Sequence, residues 1–229
     1  MAYMELEISR VAALAGDDAR ARMLVALMDG RALPASSLAL VARVSPQTTS
    51  AHLSKLVNGN LLAVEPQGKH RYYRLASPKV ASLIEALSVV APLPAAFRTD
   101  SADAQVLRFA RSCYMHLAGR VGVEINQAAQ RLRLWVPSRE KEYQMTEKGT
   151  DWLQQLGIHV NTARRGFARA CLDWTERRHH VAGPLGTLLF KRFLELGWIA
   201  RIHDGRAVRL THRGRLELEQ QLRLRLHRT

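Results

Sequence analysis

The run "VSPQTTSAHLSKLVNGNLLAVEPQGKHRYYRL" (residues 44–75) constrains this chain more than any other stretch. Ser45 is a helix N-cap type, and Pro46 fills the first helical position, where a missing N–H costs nothing. Thr49, Leu53 and Leu56 recur at helical spacing and define an inward face. Gln47, Thr48, Ser50, Ala51 and Lys55 are left outward, each polar or small enough to approach a partner closely. Just upstream, "PASSLALVARV" (34–44) reads as a helix opening on Pro34. Just downstream, "LLAVEP" and "RYYRLA" are strand-like and are separated by "QGKH", whose Gly68 suits a hairpin turn. Tyr73 and Leu75 alternate inward and anchor this hairpin, leaving Lys69, His70 and Arg71 at its tip.

Two helices followed by a hairpin describe a winged helix-turn-helix. A helix that reads DNA lies in a major groove about 12 Å wide, so its outward residues must be short or flexible donors and acceptors. Gln47 suits an adenine edge. Thr48 and Ser50 reach bases or phosphates, with Ser45 and Ala51 alongside, and Lys55 reaches backbone phosphate. Lys69, His70 and Arg71 suit a phosphate ridge or the adjacent minor groove. The same pattern also serves winged helices that bind proteins without reading bases, and that alternative stays open.

Charge agrees with a polyanionic partner. Lys and Arg total 34 against 20 Asp and Glu in 229 residues, a formal charge of +14. A basic protein from an Arg-rich proteome would share this balance. The first 91 residues hold 10 Lys and Arg against 7 Asp and Glu, and the rest 24 against 13. Most positive charge thus lies outside the presumed reading head, where it either adds flanking phosphate contacts or covers apolar helix surface with Arg stems. With 47% hydrophobic residues the chain should fold rather than stay disordered. The start carries two Glu and no apolar core of a signal peptide. Ala86–Phe97 is too short and Pro-broken to span a bilayer. Two Cys imply no disulfide framework. A cytoplasmic protein without membrane contact is expected.

Along the chain, residues 5–15 form a first helix ending at Gly16. Asp17 starts a second with acids in its first turn, closed by Gly30. Residues 78–91 are a further amphipathic helix, and the Pro-rich 92–101 is a linker. Beyond it the sequence echoes itself: "HLAGRVG" from His116 matches "HVAGPLG" from His180, and "YQMTEKGTDWL" from Tyr143 matches "VRLTHRGRLEL" from Val208. "ARSC" and "ARAC" echo one another upstream. The echoes divide 102–229 into a repeat, 102–160 and 161–229, each expected as helix, helix, short strand pair, helix, which is again winged-helix-like. Recurring Thr caps and Gly turns would produce a weaker version of the same pattern. The fold class is therefore mainly α. A winged helix-turn-helix domain (1–91) precedes a mainly helical C-terminal domain (102–229) with short β-hairpins.

As a set, Val44, Ser45, Thr48, Ser50, His52, Leu53, Leu56, Leu61, Gly68, Lys69, Tyr73 and Leu75 resemble the signature of the ArsR/SmtB group of bacterial repressors. The resemblance covers about residues 5–91. It implies a homodimer paired through its first and last helices, here 5–15 and 78–91, bound to a pseudo-palindromic operator in double-stranded DNA. It further implies a repressor released by a signal, here unidentified. "RSCYMHLAGRVGV" and "CLDWTERRHHVAGPLG" resemble the C-terminal extension of longer ArsR-type regulators, for which the resemblance supplies no effector.

The chain departs from the metal-sensing members. Residues 34–44 contain no Cys, and 78–91 contain no Asp or His, so metal sensing at those two places is not expected. Cys113 and His116 are spaced i, i+3 and expected on one helix face; Cys171, Asp173, Glu176, His179 and His180 follow. Such types suit a Cys2His2 site. Free Cys also packs as a small hydrophobe, which is the weightier expectation, and Cys113 with Cys171 would suit a redox pair. No cofactor or metal is therefore expected. "DWTERRHH" (173–180) is read either as a solvated helix face or as an effector pocket using Trp174, Arg177 and Arg178 with Cys113, His116 and Cys171. No catalytic motif is present, and no enzyme is expected.

Overall fold

Asp17 opens the first helix pair by accepting the Arg20 backbone N–H at 3.0 Å, and this cap starts α2 (Asp18–Ala26) just after α1 (Ile8–Ala15). The computed structural model describes residues 8–68, 70–92, 101–139, 141–162, 164–202 and 205–226. The chain divides into two units, Met1–Leu87 and Ser88–Thr229. In the first, α2 passes through a 3-10 turn (Leu27–Asp29) to β1 (Leu33–Pro34), α3 (Ala35–Ala42) and α4 (Pro46–Asn58). The Ser45 side chain accepts the Thr48 backbone N–H at 3.2 Å, with Pro46 at the first helical position.

β2 (Leu62–Gln67) and β3 (His70–Leu75) pair antiparallel from Leu62↔Leu75 to Gln67↔His70. β1 adds to β3, so β2 is an edge strand and tolerates Pro66. α5 (Pro78–Val90) follows, its last three residues falling in the second unit. Met23, Leu24, Leu27, Leu38, Leu53, Leu56, Leu62 and Leu75 are buried together in the core of this unit. Each such side chain contributes roughly 1.5–3 kcal/mol of transfer free energy.

The second unit runs α6 (Ala102–Phe109), β4 (Arg111–Cys113), β5 (His116–Ala118), α7 (Gly119–Arg131), β6 (Trp135–Pro137), β7 (Glu142–Met145) and α8 (Glu147–Gln155). It continues β8 (Ala168–Leu172), β9 (His179–Ala182), α9 (Gly183–Glu195), β10 (Ile199–Arg201), β11 (Val208–Leu210) and α10 (His212–Leu222). After α6, the order hairpin, helix, hairpin, helix therefore occurs twice. β6-β7-β8-β9 form one sheet, so the second hairpin of the first half pairs with the first hairpin of the second. Reciprocally, β11 lies beside β4: Val208 N donates to Ala110 O at 3.0 Å, and Ser112 N donates to Arg206 O at 2.7 Å.

The echoed motifs have one physical cause at each position. Thr146 caps the Gly149 N–H at 3.0 Å and donates to Arg133 O at 2.7 Å. Thr211 caps the Gly214 N–H at 2.9 Å and donates to Gly197 O at 2.7 Å. A Cβ on Gly149 would stand 1.8 Å from Leu134 O, and one on Gly214 2.1 Å from Trp198 O. Each Gly lets its helix start against the residue that leads into the first strand of the preceding hairpin, Leu134 before β6 and Trp198 before β10. Trp135, Trp152, Phe190, Phe193 and Trp198 dominate the core.

Two expectations from sequence are corrected here. "ARSC" and "ARAC" lie on or lead into strands, not helices, so the two helices expected ahead of a strand pair are replaced by a hairpin, preceded in the first half by the single helix α6. Cys113 and His116 accordingly face each other across β4 and β5 rather than lying along one helix. "DWTERRHH" is also not helical: Asp173–Arg178 connects β8 to β9, and His179 and His180 belong to β9. The Asp173 carboxylate accepts the backbone N–H groups of Thr175 and Glu176 at 2.9 and 3.1 Å, as at the start of a helix, but the chain makes only one turn: Arg177 takes φ +56° and Asp173 N donates to Arg178 O at 2.9 Å, which sends it back as β9.

Candidate functional site

Two groups of side chains stand out, one in each unit. On α4, Thr49, Leu53 and Leu56 are buried while Gln47, Thr48, Ser50, Ala51 and Lys55 are exposed. The 13-residue helix is about 20 Å long, enough to lie along a groove. Ser45 and Thr48 hydroxyls bond each other at 2.9 Å, and Ser50 Oγ donates back to Pro46 O at 3.1 Å. These three hydroxyls thus stiffen the exposed first turn, where Gln47 is exposed, while Lys55 is exposed in the last turn. Behind the helix, half-buried His52 has Nδ1 3.8 Å from Asp17 Oδ1 and 3.4 Å from Arg20 Nη1. Arg20 also donates to Leu14 O at 2.7 Å and Ala13 O at 2.8 Å. The end of α1, the start of α2 and the middle of α4 are thereby fixed to one another.

The hairpin β2–β3 carries His70 and Arg71 exposed beside its turn, where Gly68 has φ +59°. Only glycine takes that conformation cheaply. Lys69, assigned to the same tip from sequence, lies outside the described residues. Leu75 is buried and Tyr73 half-buried, and Arg74 pairs with Glu65 across the strands.

In the second unit the four side chains Cys113, His116, Cys171 and His180 converge, one donor atom of each lying within 4.8 Å of every other. Each of two hairpins supplies a Cys directly opposite a His: Cys113↔His116 and Cys171↔His180. The two imidazole rings lie 5.0 Å apart. α9 packs closely on one of them: a Cβ at Gly186 would come within 2.9 Å of His116 Cβ and 2.6 Å of Val181 O, while one at Gly122 of α7 would meet Leu117 O at 2.3 Å. The cavity alongside, lined by Leu117, Gly122, Ile125, Val181 and Gly186, measures about 10 Å³, room for at most one water.

Behind His180 stands a fully buried carboxylate. Asp173 Oδ2 is 3.3 Å from His180 Nδ1 and accepts the Gly119 N–H at 2.7 Å. Asp173 Oδ1 receives Arg111 Nη2 at 2.7 Å and Thr175 Oγ1 at 2.7 Å. Burial pushes the Asp173 carboxyl up, yet His180 and Arg111 outweigh it and hold the group well below the usual carboxylate range. Burial pushes His180 down, while Asp173 and Cys113 together raise it to about 9. The Arg111 guanidinium also lies 4.6 Å from the ring centre of Trp174.

Of the residues weighed as an effector site, Cys113, His116 and Cys171 come together. Trp174 packs on Arg111. Arg178 turns to Glu124 at 3.2 Å and Gln127 at 3.1 Å, and Arg177 donates to Val89 O at 2.7 Å. Sequence reasoning had left His180 out of that set and had not seen the Arg111–Asp173 pair. The signal was present: the matched "HLAGRVG" and "HVAGPLG" put His116 and His180 in equivalent places, just as "ARSC" and "ARAC" did the two cysteines.

No protein-family model matches the chain. A curated relative, the uncharacterized HTH-type transcriptional regulator YdfF of Bacillus subtilis (strain 168), is 40% identical over 227 residues. The match spans 97% of this chain and 100% of that protein. Among solved structures, a homodimeric winged helix-turn-helix DNA-binding domain from Mycobacterium bovis, described as a possible ArsR-family regulator, is 26% identical. It covers 37% of this chain and 77% of its own, with a TM-score of 0.33. The cadmium sensor CmtR from Mycobacterium tuberculosis is 30% identical over 37% of this chain and 84% of its own, with a TM-score of 0.30. Scores this low add nothing to what the register and burial of α3, α4 and the wing already establish about the fold.

Proposed function

The chain belongs to the HTH-type transcriptional regulators, and on that premise we propose that it is a homodimeric, sequence-specific repressor of the ArsR type. Its DNA-binding and dimerisation domain is residues 1–91, joined by 92–101 to a C-terminal domain that modulates dimerisation or senses a signal. The observation that carries this is the two-faced α4. An inward Thr49–Leu53–Leu56 stripe fixes the helix, and an outward Gln47–Thr48–Ser50–Ala51–Lys55 face is exposed beside an exposed His70 and Arg71. Gln47 reads a base edge, while Lys55, Arg71 and Lys69 neutralise phosphates.

Exposed apolar side chains on the two helices that would pair support the dimer: Ile8 on α1 is 67% exposed, and Val90 on α5 is 79% exposed. In such a dimer the two α4 helices enter successive major grooves about 34 Å apart, which calls for an imperfectly palindromic operator. The duplicated order of hairpins and helices in 102–160 and 161–229 supports an internal repeat. The place of action is the cytoplasm, where the DNA is; no helix among the described residues is long and apolar enough to cross a membrane.

The test is a gel shift and footprint of the purified full chain on the DNA upstream of its own coding sequence, against unrelated competitor, at rising salt. A protected palindrome and affinity that falls steeply with salt are expected. Binding indifferent to sequence would instead favour a winged-helix interaction module.

A further inference from the structure

We propose that Cys113, His116, Cys171 and His180 form a tetrahedral Cys2His2 site that binds one zinc-class divalent cation per chain and ties the two halves of the C-terminal unit together. The geometry is nearly assembled. In a tetrahedral zinc site, bonds of about 2.3 Å to sulfur and about 2.0 Å to nitrogen put donors roughly 3.3–3.8 Å apart. The four donors here already lie within 4.8 Å of one another, so closure takes small side-chain movements, not a rearrangement of strands. Two nitrogens and two sulfurs exclude calcium and magnesium, which need oxygen ligands, and four protein donors leave no open position for catalysis.

The surroundings are those of a metal ligand set. Asp173 engages His180 Nδ1, which leaves Nε2 to bind the cation, and Arg111, Thr175 and the Gly119 N–H hold Asp173 in turn. A carboxylate behind a ligating imidazole fixes its orientation and strengthens it as a donor. Gly186 lets α9 approach His116 closely, since a Cβ there would stand 2.9 Å from His116 Cβ. The site is reciprocal: β4–β5 gives one Cys and one His, and β8–β9 gives the other pair. On binding, the site releases to solvent the protons it still holds, from the cysteine S–H groups and from the His180 imidazolium, so that two thiolates and two neutral imidazoles bond the cation. No redox step is involved.

The experiment uses the full chain, reduced and stripped with chelator, titrated anaerobically with cobalt(II) and then zinc(II). Expected are tetrahedral cobalt d–d bands with a sulfur-to-cobalt charge-transfer band, saturating at one ion per chain and bleached by zinc. The chain has only two cysteines, so that charge-transfer band identifies Cys113 or Cys171 as ligand even if no variant folds. Cys171→Ser, checked for fold by circular dichroism, is expected to lower affinity at least tenfold. Asp173→Asn, if folded, lowers it about tenfold or more through His180. Absence of tetrahedral bands at stoichiometric cobalt overturns the proposal. So does unchanged affinity in folded Cys171→Ser. A Cys113–Cys171 disulfide in protein isolated without exposure to oxygen also overturns it, in favour of a redox pair.

Discussion

At the scale of single residues, role follows from whether a side chain is spent on its own fold. On α4, Ser45, Thr48 and Ser50 bond within their own turn, whereas Gln47 and Lys55 extend from it. Gln47→Ala should therefore relax preference at one base pair per half-site by about 1–3 kcal/mol, leaving stability unchanged. Arg71→Ala should weaken binding to all sequences alike and lower the salt slope by about 1. Competition gel shifts with single-base operator variants, read at two salt concentrations, separate the two effects. Asp173 is the opposite case, wholly spent on structure. Asp173→Asn leaves the Arg111 guanidinium, 1% exposed, without its counter-charge and should cost about 3–5 kcal/mol by denaturant unfolding. Arg111→Met should cost a similar amount, and the double variant clearly less than the sum, because each single change strands the other charge. Additive losses would show that the pair does not act as a unit.

At the scale of elements, what the sequence made legible was whatever has a local cause. Asp17 and Ser45 cap the next helix through their own side chains. Pro46 and the spacing of Thr49, Leu53 and Leu56 needed no distant partner to be read. The wing was legible because β2 and β3 are six residues each and flank a glycine turn. β4 and β5 are three residues each and buried throughout, so no alternation of polar and apolar marks them. Arg111 sits inside only because Asp173, 62 positions away, pairs with it. The members of the Cys–His cluster were legible as residue types but not as a constellation, because cross-strand pairing, not helical spacing, brings them together. The echoed T-x-x-G was visible as a pattern but not as a mechanism. The structure supplies one that predicts matched effects: Gly149→Ala and Gly214→Ala should each cost about 1–3 kcal/mol, because the new methyl meets a carbonyl just ahead of a strand, Leu134 O or Trp198 O, that the Thr cap holds. Exposed Lys148→Ala, one residue away in α8, should stay within about 0.5 kcal/mol. Thermal melts of the three variants decide it, and a mild Gly214→Ala would break the equivalence of the two halves.

At the scale of the whole molecule, the chain separates two kinds of chemistry. The first unit exposes a polar helix face; the second joins several of its polar groups in buried networks, as where Asn126 joins Trp135, Tyr143 and the His179 carbonyl. The four tryptophans, Trp135, Trp152, Trp174 and Trp198, all fall in the second unit, so their emission reports that unit alone. A cation held by Cys113, His116, Cys171 and His180 binds only the folded arrangement, since the four donors come from two separate hairpins. By linkage, zinc at a hundred times its dissociation constant should add about 2.7 kcal/mol of stability. In a domain of this size that raises the midpoint of tryptophan-monitored melting by roughly 5–10 °C. Excess chelator should return the midpoint to that of the metal-free chain, and Cys171→Ser should show a much smaller shift at equal zinc. An equal rise in Cys171→Ser would place the stabilising ion elsewhere and detach the metal from the fold of the C-terminal unit.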